Sequence, residues 1–239
     1  MVSVMEYLVY AESAFDLAAL LVALLGGVTI LQRRSDSAGK LMGWAALVLF
    51  IGEALNLVPR TLNKLTGMGG GFLLLAGRMA AALAVTVFCI LLSLLWEKLY
   101  EGKNGFFTEM HVRELSGARA LACLFPVFYW LSALMQGEKE NPMADAAGLE
   151  ALIVPAVRGV TLLIVAAVVA HHWRKRRSEI PTLRSVWLLL ILAALLEIGA
   201  DLGAVYVPAL AYLYIPQLVC LLGIVLFFVR YAGETGEKH

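Results

Sequence analysis

The chain alternates between long apolar stretches and short polar ones. Seven stretches are apolar for about 20 residues or more, near 7–31, 41–60, 72–96, 117–136, 149–172, 184–206 and 209–230. A helix needs about 20 residues to cross the ~30 Å hydrocarbon core. Only helices and closed barrels satisfy their backbone in lipid, and these runs are too long and continuously apolar for barrel strands. The pattern predicts an all-α polytopic membrane protein, with one domain over 1–239 folded as a seven-transmembrane-helix bundle. The first run begins near Tyr7 without a basic leader; Glu6 and Glu12 stand there instead. It reaches Leu31, too long for a cleavable signal, and is expected to remain as a transmembrane helix.

Composition strengthens this picture. Hydrophobic residues make up 61% of the 239 residues and charged residues 15%, against roughly 45–50% and about 25% in soluble domains. The mean hydropathy is +0.83. A net charge of +1 argues against a nucleic-acid partner, which calls for a strongly basic face. Membrane lipid is the expected partner.

Charge asymmetry between the loops sets orientation. With the N-terminus outside, fourteen Lys and Arg residues fall in inner segments. Three, Arg60, Lys64 and Lys139, fall outside, and Arg78 and Arg158 remain within helices. The expected topology is N-terminus outside and C-terminus inside, in a plasma or inner membrane. Trp44, Trp96, Trp173 and Trp187 then lie near the inner boundary and Trp130 near the outer one, as an interfacial belt. The basic run HHWRKRR at 171–177 reads as a stop-transfer cluster against anionic lipid. The inner loop before residue 117 reads as an ordinary connector; alternatively its Phe106, Phe107, Met110 and Leu115 could lie on a membrane surface.

The candidate chemistry is a set of polar residues inside apolar runs. Charges at membrane depth are costly and mark interior contacts or water-filled cavities. The set comprises Asp16 in the first run and Glu53, Asn56 and Arg60 in the second. Arg78 follows in the third, Arg158 in the fifth, Glu197 and Asp201 in the sixth, and Gln217 in the seventh. At ~1.5 Å of rise per residue, nearly all fall in the outer half. Glu53, Asn56 and Arg60 share one helical face, at i, i+3 and i+7. Glu197 and Asp201, at i and i+4, would repel unless an arginine lies between them or one is protonated. Pro59, Pro155 and Pro216 lie close to these positions, where a kinked helix is tolerated beside a cavity. Tyr10, Tyr129, Tyr206, Tyr212 and Tyr214 would sit near the rim. The pattern predicts an outward-facing mixed-charge cavity that binds a small zwitterionic or polar-headed ligand.

Other chemistries find less support. Cys89, Cys123 and Cys220 lie in apolar runs without a Cys-x-x-Cys pair and read as buried structural thiols. His111 and His239 fall outside the apolar runs and His171 and His172 at the very end of one, so no intramembrane zinc site is expected. No motif calls for a cofactor. No predicted span has an interior lysine for a retinal Schiff base. A binding or transport protein is the leading expectation. The alternatives are a lipid-modifying enzyme using Glu53 or Glu197 as acid and base, and a seven-helix receptor. A nucleophile motif is missing for the enzyme, and a recognisable signalling module for the receptor.

Overall fold

The structure is a computed structural model and describes residues 4–66, 71–100, 113–124, 127 and 150–236. Among these residues it is all-helical. Helix α1 spans Val4–Arg33, α2 Ser37–Thr66 and α3 Gly71–Tyr100, each of 30 residues. Residues 113–124 form α4. Helix α5 spans Glu150–Lys175, α6 Val186–Tyr206 and α7 Tyr214–Gly236. Short 3-10 turns at Pro181–Leu183 and Pro208–Leu213 lead into α6 and α7.

Five helical stretches are long and apolar enough to cross a membrane: Tyr10–Arg33, Ser37–Asn63, Met79–Tyr100, Pro181–Ala200 and Tyr214–Thr235. The chain is thus of membrane-protein type. Its outer surface fits that assignment. Leu17, Leu21, Leu25 and Val28 expose one stripe of α1, and Ile51, Leu55, Val58 and Leu62 one stripe of α2. Apolar stripes of this extent on the outside of a soluble monomer would be a liability; in lipid they are solvent-matched. Spacings of three and four residues put each stripe on one helical face.

The helices form a ring in chain order. Helix α2 packs on both α1 and α3, α3 on α5, α5 on α6, α6 on α7, and α7 closes onto α1. Short connections make α1 and α2, α2 and α3, α5 and α6, and α6 and α7 antiparallel, while Tyr100 at the end of α3 meets Arg176 just after α5, so those two helices run parallel. One end of the ring therefore holds the C-terminal ends of α1, α3, α5 and α7; it is called here the Arg34 end. The other, the Arg60 end, holds the C-terminal ends of α2 and α6 and the N-terminal ends of α1 and α7. Small residues set the closest approach. A Cβ on Gly77 of α3 would stand 2.5 Å from the Leu55 carbonyl oxygen and 2.9 Å from the Asn56 Cα of α2. Only glycine lets the two backbones meet there.

The main core fills the middle and the Arg34 end, around Ile30, Met42, Phe88, Leu92, Trp96, Val169, Trp173 and Phe228. A smaller cluster of Ala19, Ala23, Leu57, Leu218 and Leu222 joins α1, α2 and α7 nearer the Arg60 end.

Several expectations need correction. The helices run past the apolar stretches into polar sequence, because backbone hydrogen bonding continues beyond the hydrocarbon boundary. Helix α7 begins at Tyr214, after a 3-10 turn, rather than at 209. Pro216 therefore occupies its first turn, where the missing N–H has no intrahelical partner to lose. Pro59 lies inside a continuous α2. Helix α4 starts by residue 113, and Leu115 is fully buried in the main core rather than on a membrane surface. Phe106, Phe107 and Met110 lie outside the described residues. Trp96 and Trp173 are core residues, not lipid-facing anchors, whereas Trp44 is exposed. Trp130 lies outside the described residues. All three cysteines are free, but Cys123 is exposed on α4, so it is not a buried thiol. His172 ends up in the last turn of α5 and is buried.

Candidate functional site

At the Arg60 end, polar side chains from four helices turn inward. Arg60, near the end of α2, pairs with Glu12 of α1. Its guanidinium also lies over the Tyr214 ring of α7, 4.2 Å from the centroid. The Tyr214 hydroxyl donates to the same Glu12 carboxylate at 2.6 Å. One carboxylate thus ties α1, α2 and α7 together. Arg60 is held by a charge, a ring and a helix it does not belong to, which is more than the snorkelling of a terminal cation.

One turn below on α1, Asp16 is buried, at 3% exposure. On α2 the Glu53 carboxylate accepts from the Asn56 side chain, and Glu197, Asp16 and Arg60 lie close enough to act on it electrostatically. On α6, Glu197 accepts from the Gln217 amide of α7 at 3.1 Å. The structure therefore brings together Asp16, Glu53, Asn56, Arg60, Glu197 and Gln217. The side chains of Arg78, Arg158 and Asp201 lie outside the described residues. The backbones of their helices do reach this level. Gly77 of α3 abuts Leu55 and Asn56, and a Cβ on Gly159 of α5 would stand 2.8 Å from Ile198 of α6.

Of the five rim tyrosines, Tyr214 is part of the network. Tyr10 and Tyr212 are exposed, at 60% and 53%. Tyr129 and the side chain of Tyr206 lie outside the described residues. Glu12 was missed by the sequence reading, which took it for a flank of the first run. Its spacing from Asp16, i and i+4 on α1, was the available signal.

The Arg34 end is polar in a different manner. Arg34 pairs with Asp36 at 2.6 Å, donates to the Thr235 hydroxyl at 3.1 Å and lies over the Tyr231 ring. Arg176 pairs with Glu179 at 3.0 Å and covers the Tyr100 ring, whose hydroxyl donates to the Arg176 carbonyl at 3.3 Å. Arg119 of α4 meets Glu97 of α3 at 2.8 Å. The buried His172 has Nδ1 2.8 Å from the Val168 carbonyl oxygen and Nε2 3.2 Å from Glu114 of α4. Burial pushes the Asp36 carboxyl up, but the Arg34 hydrogen bond and charge outweigh it and hold Asp36 below the usual carboxylate range.

Among the described residues, no group of three or more His, Cys, Asp or Glu side chains is arranged to hold a metal ion. Compared with family models, curated proteins and solved structures, the chain matches none. Fold and site geometry place it as an all-helical protein of membrane type with a polar cluster at one end of its bundle.

Proposed function

We propose that the Arg60 end is the binding site of an integral membrane protein that takes up or holds a small zwitterionic or polar-headed ligand. One observation carries the reading: Asp16, Glu197 and Arg60, from three different helices, all lie within electrostatic reach of Glu53. Buried ion pairs add little net stability over well-packed apolar residues, so stability alone is a poor reason to gather so many. A mixed set can hold both ends of a zwitterion, arginines on an anionic group and carboxylates on a cationic one. The exposed apolar stripes and the five stretches long and apolar enough to span support a site at membrane depth.

Orientation belongs to the same proposal. The basic residues Arg33, Arg34, Lys40, Arg174, Lys175, Arg176, Arg177 and Arg184 belong to the Arg34 end, which the positive-inside rule assigns to the cytoplasm. The site then opens outward. Among the described residues, the apolar core toward the other end argues against an inward route. Transport would require the ring to rearrange, whereas binding would not.

The test is a thermal-stability screen of purified protein against zwitterionic amino acids, phosphocholine and phosphoethanolamine. A ligand that raises the unfolding temperature of the wild type should fail to do so for Glu53→Gln. Retained stabilisation in Glu53→Gln and in Arg60→Leu would remove the site from this end. Conversion of the ligand, rather than binding alone, would replace the reading with an enzymatic one.

A further inference from the structure

At the opposite end, the last turn of α5 and the segment after it form an open cleft of ≈ 370 Å³ lined by His171, Arg174, Lys175, Arg177 and Ser178. The cleft is shallow and open, with a polar and basic lining, as suits a headgroup at a surface rather than an enclosed ligand. Its cations differ from their neighbours. Arg176, in the same run, is answered by Glu179 and the Tyr100 ring. Among the described residues, Arg174, Lys175 and Arg177 have no carboxylate partner. Arg174 is instead steadied over the Trp187 ring at the start of α6, 5.3 Å from its centroid. The α5 C-terminus contributes roughly half a negative charge, which three full positive charges outweigh. The cleft is built for an anion.

The surface leading to it says what kind. Val160, Ile164, Ala167 and His171 are exposed and fall at spacings of four, three and four along α5. They form one face, apolar for two turns and ending at His171 on the cleft wall. The next residues on that face are Arg174 and Lys175. An apolar track that ends in uncompensated cations complements an acyl chain joined to a phosphate.

We propose that this cleft is a binding site for the phosphate-bearing headgroup of an anionic phospholipid, whose acyl chain lies along the Val160–Ile164–Ala167 stripe. The guanidinium groups of Arg174 and Arg177 hold the phosphate oxygens, in the planar geometry that favours arginine for this task. Ser178 and His171 supply further polar contacts. This site is separate from the cluster around Glu53, and neither reading depends on the other.

The experiment titrates purified full-length protein in detergent with dioleoyl phosphatidate and counts bound lipid by native mass spectrometry. Arg174→Gln combined with Arg177→Gln should weaken binding by about thirtyfold, taking about 1 kcal/mol for each cation lost near a lipid surface. Arg33→Gln combined with Lys40→Gln removes the same charge from exposed positions at the same end and should leave binding close to wild type. All four residues except Arg174 and Arg177 are outside the cleft and all are surface-exposed, so loss of the fold is not expected; Arg174→Lys with Arg177→Lys should restore part of the binding. Equal weakening in both double variants would overturn the site in favour of diffuse surface charge. Glycerol 3-phosphate binding as tightly as the lipid would overturn the lipid assignment.

Discussion

The two ends of the bundle use similar residue types to opposite purposes. At the Arg34 end, many partners are near neighbours in the chain: Arg34 with Asp36, Arg176 with Glu179, Arg230 with Glu234. These groups sit at helix termini, and the core just inside them is aromatic and apolar. At the Arg60 end the partners are distant in sequence. Glu12 meets Arg60 and Tyr214, and Glu197 meets Gln217, each across a helix boundary. Local pairs finish helices at a water boundary and contribute little each. Cross-helix pairs inside the bundle fix how helices are arranged, and leaving one member alone is costly. Arg119–Glu97 and Tyr100–Arg176 also cross helices at the Arg34 end, so neither charge count nor separation in sequence locates a site. What sets the Arg60 end apart is that contacts from α2 and α7 converge on one carboxylate, Glu12.

The comparison is broken most severely by Arg60→Leu. It removes the cationic partner of the Glu12 carboxylate, which is only 10% exposed and keeps its Tyr214 hydrogen bond, and should destabilise by up to about 3 kcal/mol. Adding Glu12→Leu should recover most of that loss, because an apolar pair of similar volume is no worse than a buried ion pair. Thermal unfolding in detergent checks both. If the double variant is as unstable as the single one, the pair is not the reason for the loss.

A smaller effect is expected at the α2–α3 seam. Gly77→Leu drives a side chain into the Leu55–Asn56 backbone and should cost about 2 kcal/mol. At the Arg34 end, a Cβ on Gly117 of α4 meets nothing within 4 Å. Gly117→Ala should therefore stabilise, by up to about 1 kcal/mol through helix propensity. Opposite signs in chemical unfolding would sharpen the contrast between a tight seam and an open helix face.

The smallest effect is at Asp36. Its folded-state value lies below its ordinary one, so its contribution is present above the unfolded value of about 3.9 and is lost as pH falls through the folded value. Between pH 6 and pH 3 the wild type should lose slightly more stability than Asp36→Asn. Parallel pH profiles of unfolding temperature would show that the Arg34–Asp36 pair contributes nothing.

Much of the architecture was legible because hydropathy is a local signal. Apolar runs marked α1, α2, α3, α6 and α7, and the polar residues inside them stood out against their surroundings. Asp16, Glu53, Asn56, Arg60, Glu197 and Gln217 do converge. What sequence did not reveal was pairing. Nothing local connects Glu12 to Tyr214, 202 positions away, and Glu12 looked like a helix flank. Burial at helix ends was equally hidden: Trp96, Trp173, His172 and Leu115 read as interfacial or loop residues, yet tertiary packing encloses them. The pairs at i, i+3 and i, i+4, such as Arg176 with Glu179, follow from helical geometry alone.

The central claim is that the Arg60 end holds a ligand. Native mass spectrometry of the protein gently purified from membranes tests it most directly, comparing wild type with Glu53→Gln. The account predicts a bound small zwitterion or polar-headed lipid on the wild type and its absence from Glu53→Gln at unchanged fold. The same adduct on both proteins, at equal occupancy, would contradict it.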